Sequence, residues 1–134
     1  MRKISDAKEK HTFKALRKSF KYALNGIFTA LAICRNLKIH YLLAVIAIVA
    51  GFYFDIEHVE FAVILLTITL VVTLEMINTA IEKVVDLLTE KYHILALIAK
   101  DISAGAVLIA SIIAFIIGAL IFGPYLIELV RSSY

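Results

Sequence analysis

Glu75, Asn78, Glu82 and Asp86 follow one another at steps of three, four and four residues. On a helix turning ~100° per residue, these steps hold all four side chains within an arc of roughly 80°. Three carboxylates and a carboxamide on one stripe can bind cations or move protons. Glu75 directly follows an apolar run from about Phe61 to Leu74, which sets it near the depth of a membrane interface. A carboxylate there is costly unless it is paired, hydrated or metal-bound, so it is a functional candidate. Lys100 and Asp101 open a later helix, and Arg35, Asn36, Lys38 and His40 lie where an earlier one begins. Carboxylates suit a hard cation such as Mg²⁺, which binds through one or two of them plus substrate phosphates. Lysine and arginine suit the phosphates. For Lys83, Asp86 and Glu90 a solvated helix end explains the charges equally well, and Tyr92 or His93 alone carries no signal. The residues thus point to a metal-dependent or ion-handling site. No G-x-x-x-x-G-K phosphate loop and no soluble-kinase signature is present.

The elements that position these groups are set by composition. The chain of 134 residues is 62% hydrophobic, against about 45–50% in soluble domains. Its mean hydropathy is +0.93. So small a soluble core cannot hide that excess, whereas a bilayer can. Three apolar stretches predict membrane-spanning helices over 36–54, 59–88 and 100–122, the last stopping near Gly123-Pro124 because proline ends helices. A short acidic turn, 55–60, joins the first two, and a polar connection, 89–93, joins the last two. Ala106, Ala110, Ala114 and Gly118 recur every four residues, a spacing that lets helix backbones approach closely in lipid.

Residues 1–12 are polar and expected to fray. Over 13–33, Phe13, Leu16, Phe20, Leu24, Ile27 and Leu31 share an arc of roughly 80°, flanked by Lys14, Arg17, Lys18 and Lys21. An apolar stripe beside a basic one predicts a helix lying on a membrane surface. The expected fold is therefore all-α: an integral membrane protein with one amphipathic surface helix and three transmembrane helices, as one domain over 1–134.

Net charge is +3, but its distribution matters more. Ten basic residues precede Tyr41: Arg2, Lys3, Lys8, Lys10, Lys14, Arg17, Lys18, Lys21, Arg35 and Lys38. Beside so apolar a body, this cluster fits an anionic membrane surface better than nucleic acid. The same bias puts the N-terminus and the second connection in the cytoplasm, and the acidic turn and C-terminus outside. A single cysteine, Cys34, excludes an intramolecular disulfide and a cysteine-cluster metal site. The pattern of a cleavable signal peptide is not met.

The run Leu74-Glu75-Met76-Ile77-Asn78-Thr79-Ala80-Ile81-Glu82-Lys83-Val84-Val85-Asp86 resembles the signature of the prokaryotic diacylglycerol kinase family. So does Tyr92-His93-x-Leu95-Ala96-x-x-Ala99-Lys100-Asp101-x-x-Ala104-Gly105-Ala106-Val107. Arg35-Asn36-x-x-Ile39-His40 resembles the Gram-positive branch, whose members act mainly as undecaprenol kinases. The similarity spans about Phe13 to Ile121. It implies a homotrimer in the bacterial cell membrane, with active sites shared between protomers, that moves the γ-phosphate of ATP to a lipid hydroxyl using Mg²⁺. By resemblance, Glu75 matches the catalytic base that meets the lipid, and Ala104 lies beside the lipid. Glu82 matches a magnesium ligand on the nucleotide side. Tyr22, Asn78, Asp86, Tyr92, His93, Lys100 and Asp101 match nucleotide-side positions.

This chain departs from the family at Cys34, where a second magnesium-ligand glutamate is usual. A thiol suits magnesium poorly. A nearby group or water then completes the metal shell, the enzyme is weakened or silent, or the residue is an engineered one. A smaller departure is Ala15, where a basic residue is common and Lys14 or Lys18 could substitute. The reading is an ATP- and Mg²⁺-dependent kinase of undecaprenol, with diacylglycerol as the alternative acceptor. A different class, an ion channel or transporter subunit, would use the same carboxylate stripe for conduction.

Overall fold

The computed structural model describes residues 2–88 and 93–133, with side chains from Phe13 onward. The described residues form four helices: α1 (Arg2–Ile33), α2 (Arg35–Tyr53), α3 (His58–Leu88) and α4 (Ile94–Ser132). They divide into two compact units, Met1–Ile33 and Cys34–Tyr134.

The N-terminal unit is α1 alone. The helix reaches back to Arg2, well before the expected start at 13. Lysine, glutamate and alanine are good helix formers, which favours helix in this segment. Phe13, Leu16 and Phe20 are exposed on it. An amphipathic stripe that its own helix cannot cover is what a surface helix presents to lipid.

In the second unit, α2, α3 and α4 are each long and apolar enough to cross a membrane. At 1.5 Å per residue, the 19 residues of α2 span about 28 Å, close to the ~30 Å hydrocarbon thickness. Helix α3 is the central element, packing against both α2 and α4. Its buried face is Ile64, Val71, Glu75, Asn78 and Thr79, and the opposing α4 face is Ser103, Val107 and Ala110. Large apolar residues elsewhere, such as Leu66, Leu70, Ile109 and Phe115, point outward. This inside-out distribution suits lipid as the surrounding solvent.

The turn from α2 to α3 is locally specified. Asp55 takes φ 49°, Asp55 N–H donates to Phe52 O at 3.4 Å and Ile56 N–H to Gly51 O at 3.2 Å. These two bonds and the left-handed residue make a Schellman motif. Glu60 then accepts from Glu57 N–H at 3.0 Å, one half of a capping box that starts α3. Gly51 permits the close approach, since a Cβ there would lie 2.9 Å from the Phe61 ring and 3.2 Å from Ile56 Cδ1.

Helix α4 differs from expectation at both ends. It begins at Ile94, where His93 Nδ1 accepts from Leu95 N–H at 3.3 Å, and the apolar Ile94 to Ala99 continue the helix. It also passes through Pro124 to Ser132. Proline removes one backbone bond, but the far segment is tied down. Tyr125 O–H donates to Glu60 Oε2 at 2.8 Å, and Phe54 stacks with Phe122 and Tyr125 at centroid distances of 6.4 and 5.9 Å.

The small-residue series on α4 is only partly used within the chain. Ala110 is buried, Ala106 is exposed, and Ala114 and Gly118 are intermediate. Ala114 and Gly118 instead line a cavity of about 480 Å³ that also touches Ala47, Ala50, Val71 and Phe122.

Candidate functional site

The polar groups of the second unit gather where α2 begins, α3 ends and α4 begins. Cys34 sits just ahead of α2 with extended backbone and serves as its N-cap, its sulfur accepting from Leu37 N–H at 3.4 Å. Leu37 is fully buried and anchors this first turn. The cap holds the thiol against α3, where Cys34 Sγ donates to Glu75 Oε1 at 3.3 Å. Glu75 is only 2% exposed. Glu75 is thus buried within the chain, and the thiol supplies a hydrogen bond to one of its carboxylate oxygens.

One turn further along α3, Asn78 is 6% exposed and donates through Nδ2 to Glu82 Oε1 at 3.3 Å. Ser103 of α4, also buried, donates to Asn78 Oδ1 at 2.6 Å. At the end of α3, Asp86 accepts from Lys100 Nζ at 2.6 Å, and Lys83 Nζ lies 3.7 Å from its other oxygen. These last pairs are solvent-accessible, so their worth is in arranging charge more than in stability. Glu75, Asn78, Glu82 and Asp86 thus form one stripe running from a buried carboxylate to an exposed ion pair.

The other candidate residues fall as follows. Asp101 and Ala104 are exposed on α4. His93 caps α4, so its ring is engaged locally. Tyr22 belongs to the N-terminal unit, where Lys18 Nζ stands 5.7 Å from its ring centroid. Tyr92 lies outside the described residues. Among the described residues, no three His, Cys, Asp or Glu side chains converge as a metal cage. Magnesium does not require such a cage, since it is bound through one or two carboxylates, substrate phosphates and water. Glu82 fits that donor set, while the Cys34 thiol, turned to Glu75, does not.

Sequence reasoning missed Ser103. Its spacing with Val107 and Ala110 is helical, but only the structure shows that α4 buries this face.

The fold and this site define a multi-pass membrane protein with an ionic cluster at one end of its spans. A family model for prokaryotic diacylglycerol kinase matches residues 21–122, and the chain belongs to that family. It is 46% identical over 112 residues to a diacylglycerol kinase of Synechocystis, covering 83% of this chain and 64% of that protein. It is 43% identical over 109 residues to an undecaprenol kinase of Bacillus subtilis, covering 81% of this chain and 89% of that protein. A diacylglycerol kinase of Helicobacter pylori is 35% identical over 117 residues, covering 87% of this chain and 88% of that protein.

Proposed function

We propose that this protein is an ATP- and Mg²⁺-dependent lipid kinase that phosphorylates undecaprenol at the cytoplasmic face of a bacterial cell membrane. The carrying observation is the buried Glu75 carboxylate, held at the buried end of a polar stripe that ends in the exposed Asp86–Lys100 pair. Such a stripe suits a reaction joining an apolar acceptor to a charged donor. The Bacillus subtilis relative, matched over 89% of its length, supports undecaprenol as the acceptor. The Synechocystis relative, named a diacylglycerol kinase, supports the second acceptor.

In this reading Glu75 is the catalytic base. The lipid hydroxyl oxygen attacks the γ-phosphorus of ATP, a new P–O bond forms, and the bond to the β–γ bridging oxygen breaks to release ADP. The hydroxyl proton passes to the Glu75 carboxylate. Positioning and charge neutralisation supply most of the acceleration in such transfers. Lys100 and Asp86 orient the nucleotide, with Asn78, Asp101, His93, Tyr22 and Tyr92 as further nucleotide-side groups. Ala104 leaves room beside the lipid. Glu82 would hold Mg²⁺ together with the phosphates, and the bound ion neutralises phosphate charge.

The ten basic residues before Tyr41 support the cytoplasmic setting. The proposed working unit is a homotrimer of one lipid-kinase domain with shared active sites. The test is phosphate transfer from ATP to undecaprenol and diacylglycerol by the protein in lipid, with and without Mg²⁺. Mg²⁺-dependent labelling of undecaprenol is expected. Labelling of neither lipid would overturn the reading, and ATP-independent ion flux would favour a channel.

A further inference from the structure

Ser103, Asn78 and Glu82 form a relay whose direction is fixed by chemistry. Asn78 and Ser103 are 6% and 9% exposed, so both are largely withdrawn from bulk water. An ionised Glu82 accepts hydrogen bonds only. The Asn78 atom 3.3 Å from Glu82 Oε1 must then be the NH₂ group. That choice turns the Asn78 oxygen toward α4, where Ser103 Oγ meets it at 2.6 Å. The hydroxyl has one proton and two acceptors in reach, since Lys100 O lies at 2.9 Å. Only donation to Asn78 leaves no buried acceptor unpaired, because an orphaned amide oxygen costs more than a helix carbonyl that already has its own partner.

We infer that Ser103 is a positioning residue of the site: it locks the Asn78 amide so that its NH₂ group holds the Glu82 carboxylate in the orientation used to bind the metal–nucleotide substrate. The inference rests on the proposed kinase reading for its functional consequence, though not for the relay itself. It does not touch the reacting atoms. It acts on Glu82 through Asn78, so Ser103 should set the affinity for Mg²⁺ and ATP while leaving the rate at saturation largely intact.

The relay predicts a specific pattern in variants of the full chain in lipid bilayers. Ser103→Ala keeps helix propensity and volume, so the fold is retained. It should raise KM for ATP and the half-saturating Mg²⁺ concentration by about five-fold, the scale set by one ordinary hydrogen bond. The rate at saturation should change less than two-fold, on the order of a few tenths of that effect. Ser103→Thr keeps the hydroxyl and should restore both constants. In an Asn78→Ala background, Ser103→Ala should add nothing further.

A second readout does not depend on activity. The chain has three asparagines, Asn25, Asn36 and Asn78, so side-chain amide signals of ¹⁵N-asparagine-labelled protein are few. The Asn78 amide protons should exchange slowly in the wild type and in Ser103→Thr, and fast in Ser103→Ala. Unchanged Asn78 exchange in Ser103→Ala would overturn the relay. Altered exchange with unchanged KM and Mg²⁺ dependence would overturn its functional role. A wild type that phosphorylates no lipid would instead overturn the kinase reading, and the Asn78 signals would still decide the relay.

Discussion

Cys34 and Glu75, 41 residues apart in the chain, meet through a thiol–carboxylate hydrogen bond of 3.3 Å. The thiol comes from the cap of α2 and the carboxylate from the buried face of α3. A thiol, a weak donor, is thus what reaches the carboxylate of the proposed base. Cys34→Ser should keep activity within a few-fold, because a hydroxyl donates to the same oxygen. Cys34→Ala should cost about 1–3 kcal/mol, because a buried acceptor loses its partner. Thermal unfolding of the three proteins side by side checks this; equal stability of the alanine and serine variants would contradict it.

Cys34→Glu tests the same contact by placing a second carboxylate beside Glu75. Two carboxylates at this distance repel unless a cation sits between them. The variant should therefore be less stable without Mg²⁺, be stabilised by it, and reach half-maximal rate at lower Mg²⁺ than the wild type. Thermal unfolding across a Mg²⁺ titration reads the first effect, and initial rates read the second.

The Asp86–Lys100 pair, 2.6 Å between charged atoms, lies at the solvent-accessible end of the stripe. Lys100→Met should leave unfolding nearly unchanged, because exposed pairs add little stability. It should raise KM for ATP by about ten-fold or more, since the proposed nucleotide-side cation is lost. Initial rates against ATP concentration, alongside thermal unfolding, separate the two effects.

The α2–α3 turn offers predictions away from the site. Asp55 holds φ 49°, which costs a non-glycine residue about 1 kcal/mol. Asp55→Gly should stabilise the protein by up to that amount without altering kinetics. Gly51→Ala should destabilise it by about 1–3 kcal/mol through overpacking, because its Cβ would meet the Phe61 ring at 2.9 Å. Both are read by thermal unfolding in the same lipid.

Much of this was legible from the sequence. The three spans follow from apolar runs, and the 75–78–82–86 stripe from its spacing alone. The ends of α4 were not legible. Proline 124 reads as a stop because local chemistry says so, while Tyr125 bonded to Glu60, 65 residues earlier, keeps the helix going. The Cys34–Glu75 bond was hidden for the same reason: no local pattern reports a contact between two helices. Ser103 was overlooked because a single serine in an apolar helix resembles filler until its partner across the interface is known.

In the proposed reaction, buried Glu75 takes the proton of a lipid hydroxyl as ATP gives up its γ-phosphate. The most direct measurement is transfer of labelled γ-phosphate to undecaprenol by wild-type protein and by Glu75→Gln, in the same bilayers with Mg²⁺. Glu75→Gln keeps the side chain's shape and removes its basicity, so the account predicts labelling by the wild type and a loss of about 100-fold or more in the variant, with ATP binding retained. Labelling by Glu75→Gln at the wild-type rate would contradict it.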